Sequence, residues 1–263
     1  MQQRHQDRKL YFKEQAQTCH KHYLPYLQSF ISITPDTRIL EIGCGEGGNL
    51  LPLAQMGCQV TGIDLAAGRI AEAQSFFKQS NASGTFLNSD AIQYAQSTPK
   101  RFDLILMHDV IEHIVDKEQL LIAIKRLLTP DGLLFIAFPA WQMPFGGHQQ
   151  ICHNSTLAHL PFIHLLPRTV YRHLLRIANE SEENIHELMN IRHTRTTIED
   201  FEALALKHYQ LTNRQLWFIN PHYETKFHLQ PRKLWKPIKH IPYLRGFCST
   251  ACWYLLKCKT NAK

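Results

Sequence analysis

Arg38-Ile39-Leu40-Glu41-Ile42-Gly43-Cys44-Gly45-Glu46-Gly47-Gly48 is an apolar run that breaks into a glycine turn with a carboxylate at its entrance. The run reads as a buried strand, and Gly43, Gly45 and Gly47 let the backbone turn sharply and approach a ligand closely. Glu41 stands where the strand ends. Twenty-one residues beyond Gly43, Asp64 lies near the end of a second apolar run, Gln59–Leu65, where a carboxylate is well placed for a ribose hydroxyl pair.

Two nucleotide-type cofactors suit this arrangement. Gly43, Gly45 and Gly48 satisfy the GxGxxG spacing of a dinucleotide fold, with Asp64 as the ribose acid. Glu41 tilts the reading. A carboxylate beside a pyrophosphate adds like-charge repulsion, whereas S-adenosyl-L-methionine (SAM) lacks phosphate and carries an ammonium and a sulfonium. The block Leu40–Gly47 resembles motif I of the class I SAM-dependent methyltransferases. The resemblance continues in order through Asp64, Asn88-Ser89-Asp90-Ala91, Phe102-Asp103-Leu104-Ile105-Leu106 and Leu127-Leu128-Thr129-Pro130-Asp131-Gly132. It covers residues 35–140, and its nearest flavour is that of the ubiquinone-pathway-like small-molecule enzymes from bacteria.

Apolar runs alternate with helical patterns along this stretch. Strands are expected at 38–43, 59–64, 85–89, 102–107 and 132–138, with helices at 46–56, 67–79, 91–97 and 116–128. That alternation predicts an α/β fold with a doubly wound, mostly parallel sheet. The resemblance implies seven strands in the order 3-2-1-4-5-7-6, closed by an antiparallel hairpin at 210–219 and 223–229. Four regions follow: an N-terminal helical segment over the cofactor (1–34), the Rossmann-like core (35–140), a helical substrate cap inserted after strand 5 (141–195), and a closing helix, hairpin and tail (196–263). Within the first, residues 7–30 read as a helix with a stripe of Leu10, Tyr11, Tyr23, Leu24 and Leu27 that Pro25 interrupts. Tyr11 or Phe12 is expected to reach the cofactor. Thr196 and Glu199 have the spacing of a capping box.

The resemblance assigns cofactor binding to Glu41, Gly43, Cys44, Gly45 and Gly47, to Asp64 and Leu65, to Asp90 and Ala91, and to His108. Two readings of Asp90 stand: contact with the adenine amine, or a simple cap on the helix opening at Ala91. Arg69 reads as solvated surface. Directly after strand 4, Asp109, Glu112 and His113 fall at i, i+3 and i+4, so a helical turn would set two carboxylates and an imidazole on one face. Such a set suits a divalent cation and is similar to the Glu-x-x-Glu-His metal site of ubiquinone-pathway and small-RNA 2′-O-methyltransferases, with Asp109 shorter than the glutamate expected there. The alternative is a Glu-His pair that only braces the pocket. His148, in the loop 139–148, is a further ligand or a general base, and His113 and His108 are the other proton acceptors considered. An unperturbed imidazole suits that role near neutral pH. Trp141, Met143, Phe145 and Phe162 read as either an apolar acceptor pocket or core.

Composition narrows the class. A chain of 263 residues, 44% hydrophobic and 19% charged, is globular and long enough for one elaborated domain. Seven cysteines without a CxxC pair suit a reducing cytosol. The polar first residues carry no apolar signal segment, and no apolar run reaches the roughly 20 residues that span a bilayer. Of the 16 histidines, those at 148, 153, 159, 164 and 173 fall in the cap region without zinc-ligand spacing. Charge is uneven. From Lys226 to Lys263 there are nine Lys/Arg and no Asp or Glu, interleaved with Phe227, Trp235, Tyr243, Phe247, Trp253 and Tyr254. This tail either lies against anionic headgroups or nucleic acid, or is a terminal strand and docked helix with a solvated basic face.

The expectation is a cytoplasmic enzyme, with peripheral membrane contact through the tail as an open alternative. It would transfer a methyl group from SAM to oxygen on a small molecule, glycan or lipid-linked intermediate. A metal-assisted RNA 2′-O-methyltransferase and a non-catalytic SAM- or dinucleotide-binding module are the rivals.

Overall fold

The computed structural model describes residues 7–259; the polar amino-terminal residues read above for a signal segment lie largely outside them. Eight strands form one sheet: β1 (Arg38–Ile42), β2 (Gln59–Asp64), β3 (Thr85–Asn88), β4 (Phe102–His108), β5 (Leu128–Phe138), β6 (Tyr209–Ile219), β7 (Arg232–Lys233) and β8 (Ala251–Cys258). Their spatial order is β3-β2-β1-β4-β5-β8-β6-β7. Pairs among β1 to β5 are parallel, while β8 runs antiparallel to both β5 and β6.

The chain up to Gln79 contributes α1 (Arg8–Thr18), α2 (Leu24–Gln28), α3 (Leu51–Gln55) and α4 (Ala67–Gln79). Next come α5 (Ala91–Ser97), α6 (Lys117–Lys125), α7 (Ser155–His159), α8 (Arg168–Ile177), α9 (Glu182–Thr194) and α10 (Ile198–His208). The short helices α11 (His222–Phe227), α12 (Lys236–Lys239) and α13 (Leu244–Phe247) fill the excursion between β6 and β8. Side chains alternate across the strands. Ile39, Leu104, Leu106, Phe135, Trp253 and Leu255 pack with α1 to α4. Leu40, Ile105, Met107, Leu134, Tyr254 and Leu256 pack with α5, α6 and α10 on the other face. A doubly wound sheet follows, with its chain reversal between β1 and β4. Residues of the cap, among them Ile163, Tyr171, Leu175, Ile185 and Leu188, form a small core of their own.

Several expectations need correction. The sheet has eight strands, not seven, and the 223–229 strand is absent: Asn220 Oδ1 accepts from His222 N (3.0 Å) and Pro221 precedes the first turn, so these residues start helix α11. The main partner of β6 is β8, drawn from the supposed basic tail, and the two-residue β7 pairs on its other edge. The β8 apolar run Ala-Cys-Trp-Tyr-Leu-Leu is buried on both faces, as a central strand demands. The helix expected at 46–56 is a 3-10 turn (Gly48–Leu50) followed by the short α3, because Gly47 is left-handed (φ +81°). Thr197, not Thr196, caps α10, accepting from Asp200 N at 3.0 Å. The helix of residues 7–30 is continuous in path but opens into a π turn at Cys19–Tyr23 just before Pro25, whose ring removes a donor and crowds the preceding turn.

Candidate active site

The site lies where β1, β2, β4 and β5 end. Gly43, Gly45 and Gly47 all hold left-handed backbone (φ +69°, +52° and +81°), the strain only glycine accepts cheaply. A Cβ on Gly43 would collide with the Val110 side chain, and one on Gly48 would lie 2.6 Å from the Phe12 carbonyl oxygen of α1. The turn is therefore sandwiched between α1 and the segment after β4. Asp64 fastens it from the side: Oδ2 accepts from Gly45 N (2.9 Å) and Oδ1 from Ala66 N (2.8 Å). Leu65 beside it is 72% exposed, an apolar surface at the mouth.

Glu41 is buried. Asn49 Nδ2 donates to its Oε1 at 2.8 Å, while Oε2 has no partner. Burial pushes its carboxyl up to about 8, although the Asn49 hydrogen bond pulls the other way. Glu46, also buried, receives Arg8 at 2.7 Å and lies 4.0 Å from Arg69, again with one oxygen unpartnered. Buried acceptors left unpaired are expensive unless a donor arrives. Two such oxygens on carboxylates bracketing the glycine turn fit a cationic group. Arg69 is exposed, as a solvated surface residue would be, and its guanidinium also reaches the rim of the turn. Cys44 is buried among these carboxylates, and burial pushes its thiol up, so it fills space rather than reacts. Asp90 caps α5 through Oδ1, accepting from Ile92 N (2.8 Å) and Gln93 N (3.1 Å). Its Oδ2 takes no part in the cap, so the two readings of Asp90 are compatible. Ala91 opens that helix and is half-buried.

Asp109 does not share a helical face with Glu112 and His113. It is left-handed (φ +52°), and only Ile111–His113 form a 3-10 turn. Its Oδ2 lies 3.4 Å from His108 Nδ1, and His108 Nε2 is 2.6 Å from the Tyr23 hydroxyl. Both ring nitrogens of His108 thus face partners, which makes it a tether for the N-terminal helix. The Asp109 charge is felt by Tyr11, Tyr23 and Tyr223, whose hydroxyls burial already pushes up, Tyr223 to about 12. These tyrosines come from the N-terminal helix and α11. The two are clamped by Thr18–His222 (3.0 Å), Lys21–Glu224 (2.6 Å) and His22–Glu224 (2.8 Å). Tyr11 lies near the carboxylates of the site, whereas Phe12 packs inward against Phe76 and Phe77.

Glu112, His113 and His148 come together, with one ligand atom from each within 4.8 Å of the others. Glu112 is buried with both oxygens unpartnered; burial, then the Asp109 charge, hold its carboxyl well above the usual carboxylate range. Burial pulls His113 down, so its ring is neutral at pH 7. The His113 and His148 rings are edge-to-face at 5.1 Å. A buried, unpartnered carboxylate beside two imidazoles is a donor set that fits a divalent cation. Trp141 and Met143 are core, one of the two readings for them, whereas Phe145 is half-buried and Phe162 is 40% exposed against Phe247. A surface cleft lined by Arg38, Gln59, Thr85 and Arg101 opens at the amino ends of the strands and shares no residue with this site.

Residues 40–136 match the family described as Methyltransferase domain. Over these residues the chain is similar to the class I SAM-dependent methyltransferases. A ubiquinone biosynthesis O-methyltransferase of Bartonella tribocorum is 34% identical over 128 residues, covering 46% of this chain and 51% of that protein. The counterpart from Serratia proteamaculans is 28% identical over 121 residues, covering 44% and 50%. The chain thus spans about half the length of the curated relatives it matches. Among solved structures, an S-adenosylmethionine-dependent methyltransferase from Clostridium acetobutylicum aligns with a TM-score of 0.57 at 11% identity, over 95% of this chain and 92% of that one. The magnesium protoporphyrin IX methyltransferase from Synechocystis aligns at 0.55 and 14% identity, over 94% and 84%. At these identities the likeness carries the fold alone.

Around the glycine turn, Asn49, Glu46 and Arg8 left no sequence signal that singled them out, nor did Tyr23 and Tyr223 as site residues. Asn49 was the discoverable one: a buried amide eight residues past Glu41, on the same turn, is placed to meet it. The contacts of Arg8, Tyr23 and Tyr223 join segments far apart in the chain and leave no local pattern.

Proposed function

We propose that the protein binds SAM and transfers its methyl group to a hydroxyl oxygen of a small molecule or lipid-linked intermediate. The observation that carries this reading is the unpartnered, buried Glu41 Oε2 at the glycine turn. An ammonium arriving there would supply the missing donor and hold the carboxylate ionised. Asp64, already oriented by two backbone N–H groups, keeps lone pairs for ribose hydroxyls. Leu65 offers an apolar surface for the adenine, and Asp90 Oδ2 an acceptor for its amine. The O-methyltransferase relatives favour oxygen as the acceptor atom. The RNA and non-catalytic alternatives draw no support from the matches.

Methyl transfer from a sulfonium is an in-line displacement, so positioning dominates and a hydroxyl acceptor must also lose a proton. His113, neutral at pH 7 and beside His148, is the group we assign to accept it. Tyr11 and Tyr223 would close the crevice over the reacting atoms and exclude water.

A second reading of the same cluster is favoured by the two unpartnered oxygens of Glu112. Glu112, His113 and His148 would hold a divalent cation, which when bound would make an acceptor hydroxyl more acidic.

Calorimetry with SAM, followed by transfer of labelled methyl from SAM to phenolic and catechol acceptors, tests the proposal. Binding in the micromolar range and labelled ether product are expected. Failure to bind SAM would sink the reading. Product that survives chelator dialysis unchanged would remove the cation but leave the transfer intact.

A further inference from the structure

The basic aromatic tail divides in two. Residues 251–258 are buried as β8, with Trp253 and Tyr254 each 1% exposed. Residues 232–247 run over the surface: Leu234 is buried and Ile238 packs against the core, while the other large apolar side chains face solvent. Trp235 is 69% exposed and Tyr243 67%, with Ile241, Leu244 and Phe247 also exposed. Phe247 continues the strip onto the cap, its ring 6.3 Å from that of Phe162. Scattered exposed apolar residues are ordinary; five within one sixteen-residue segment are not.

This strip is firmly mounted. Arg245 is buried beneath it and donates through Nε to Glu199 (2.9 Å) and through NH2 to Glu202 (2.8 Å). The same Glu199 oxygen accepts from Tyr243 N at 2.9 Å. Tyr243 is held left-handed (φ +63°), a strained backbone for an aromatic residue. A Cβ on Gly246 would lie 2.7 Å from Gln142 Oε1, so the loop also sits tight against the cap. The anchoring keeps these side chains out of the core rather than letting them collapse into it.

Cations surround the strip. Arg232, Lys233 and Lys236 are exposed and Lys239 is half-buried on the same segment, and the charges of Arg214, Lys233 and Lys236 join burial in pulling Lys239 down. No Asp or Glu occurs after Glu224. The acids beneath, Glu199 and Glu202, are paired with Arg245 and Arg214.

We propose that residues 232–247, with Phe162 of the cap beside them, form a docking surface for the anionic face of a lipid bilayer. Tryptophan and tyrosine favour the headgroup boundary, and lysines beside them are drawn to anionic lipid. Among the described residues no helix is long and apolar enough to cross a membrane, so contact of this kind would be peripheral.

Sedimentation of the full chain with vesicles of phosphatidylcholine alone, or mixed with phosphatidylglycerol, tests this. The protein should partition onto the mixed vesicles, less so as salt rises. The triple reversal Lys233→Glu, Lys236→Glu, Lys239→Glu should weaken partition on the order of 100-fold, and Trp235→Ala about tenfold. Thermal unfolding of both variants is measured alongside and should match the parent, because Lys233, Trp235 and Lys236 are exposed and Lys239 is only half-buried. Equal binding to neutral vesicles would overturn the proposal, as would partition unchanged in both variants. So would binding of a short RNA that the charge reversal abolishes while vesicles are ignored.

Discussion

The Tyr23 hydroxyl sits 2.6 Å from Nε2 of His108, tying the π turn of the N-terminal helix to the carboxyl end of β4. Both side chains are largely buried, with the Tyr23 ring packed against Phe135 and Trp253. Tyr23→Phe keeps the packed ring and removes only this link, so about 1 kcal/mol of stability should be lost. Because the link holds the helix over the site rather than touching acceptor, KM for SAM should rise several-fold with kcat within about twofold. Steady-state kinetics at saturating acceptor separates the two, and a fall in kcat alone would contradict a tethering role.

Glu41 gives a pH dependence of defined sign. Its carboxyl is held up at about 8 in the folded protein, so the folded state keeps a proton that the unfolded chain releases near the ordinary value of 4.5. Folding stability from this group is therefore fully present below about 4.5 and is lost as pH rises toward 8. Glu41→Gln should flatten that decline in urea titrations across the same window. A cationic ligand needs the carboxylate, so SAM binding by the parent should release a proton and strengthen as pH rises through the window. Glu41→Gln should weaken SAM by roughly 10- to 100-fold. Calorimetry in buffers of differing ionisation heat reads the proton directly.

Gly48 is where α1 rests on the turn. A methyl group there meets the Phe12 carbonyl oxygen and the Gln15 Cβ, both at 2.6 Å. Gly48→Ala should cost about 1–3 kcal/mol in chemical denaturation as α1 is pushed off. SAM affinity should fall with it, since the helix bears Tyr11.

Glu112 distinguishes the two uses of its cluster. Its carboxyl is held above the usual range, so its contribution to stability, like that of Glu41, falls as pH rises above 4.5, and Glu112→Gln should stabilise the ligand-free protein at pH 8. If the trio holds a cation, magnesium or manganese should raise the melting temperature of the parent by several degrees. That rise should vanish in Glu112→Gln, His113→Ala and His148→Ala. A melting curve indifferent to both metals would leave His113 as proton acceptor.

The parallel half of the sheet was legible because β1, β2, β4 and β5 are buried on both faces along most of their length, unlike the edge strand β3. They appear in the sequence as short apolar runs, and β1 to β5 fall within a few residues of expectation. The antiparallel half was misread for a local reason. Tyr223, Thr225, Phe227 and Leu229 alternate like a strand, yet Asn220-Pro221 starts a helix, and the run that does pair with β6 lies some thirty residues later. At the site, the glycine turn with Glu41 and Asp64 was readable because it is contiguous or strand-borne. The i, i+3, i+4 spacing of Asp109, Glu112 and His113 misled, because a left-handed Asp109 cannot be foreseen from residue type. That His148 meets Glu112 depends on the loop after β5 folding back. No local pattern encodes such a fold-back.

The position of β8 bears on how the chain is made. Its neighbours β5 and β6 are both synthesised before it, so each holds an unpaired edge until residue 258 has emerged. During that interval Leu134, Ile136 and the backbone of β5 offer a template to any other extended chain. The largest single closure of the sheet therefore comes last, with high sequence separation and slow pairing. Slow translation or a crowded nascent state would harm this protein more than a fold whose sheet grows outward in chain order.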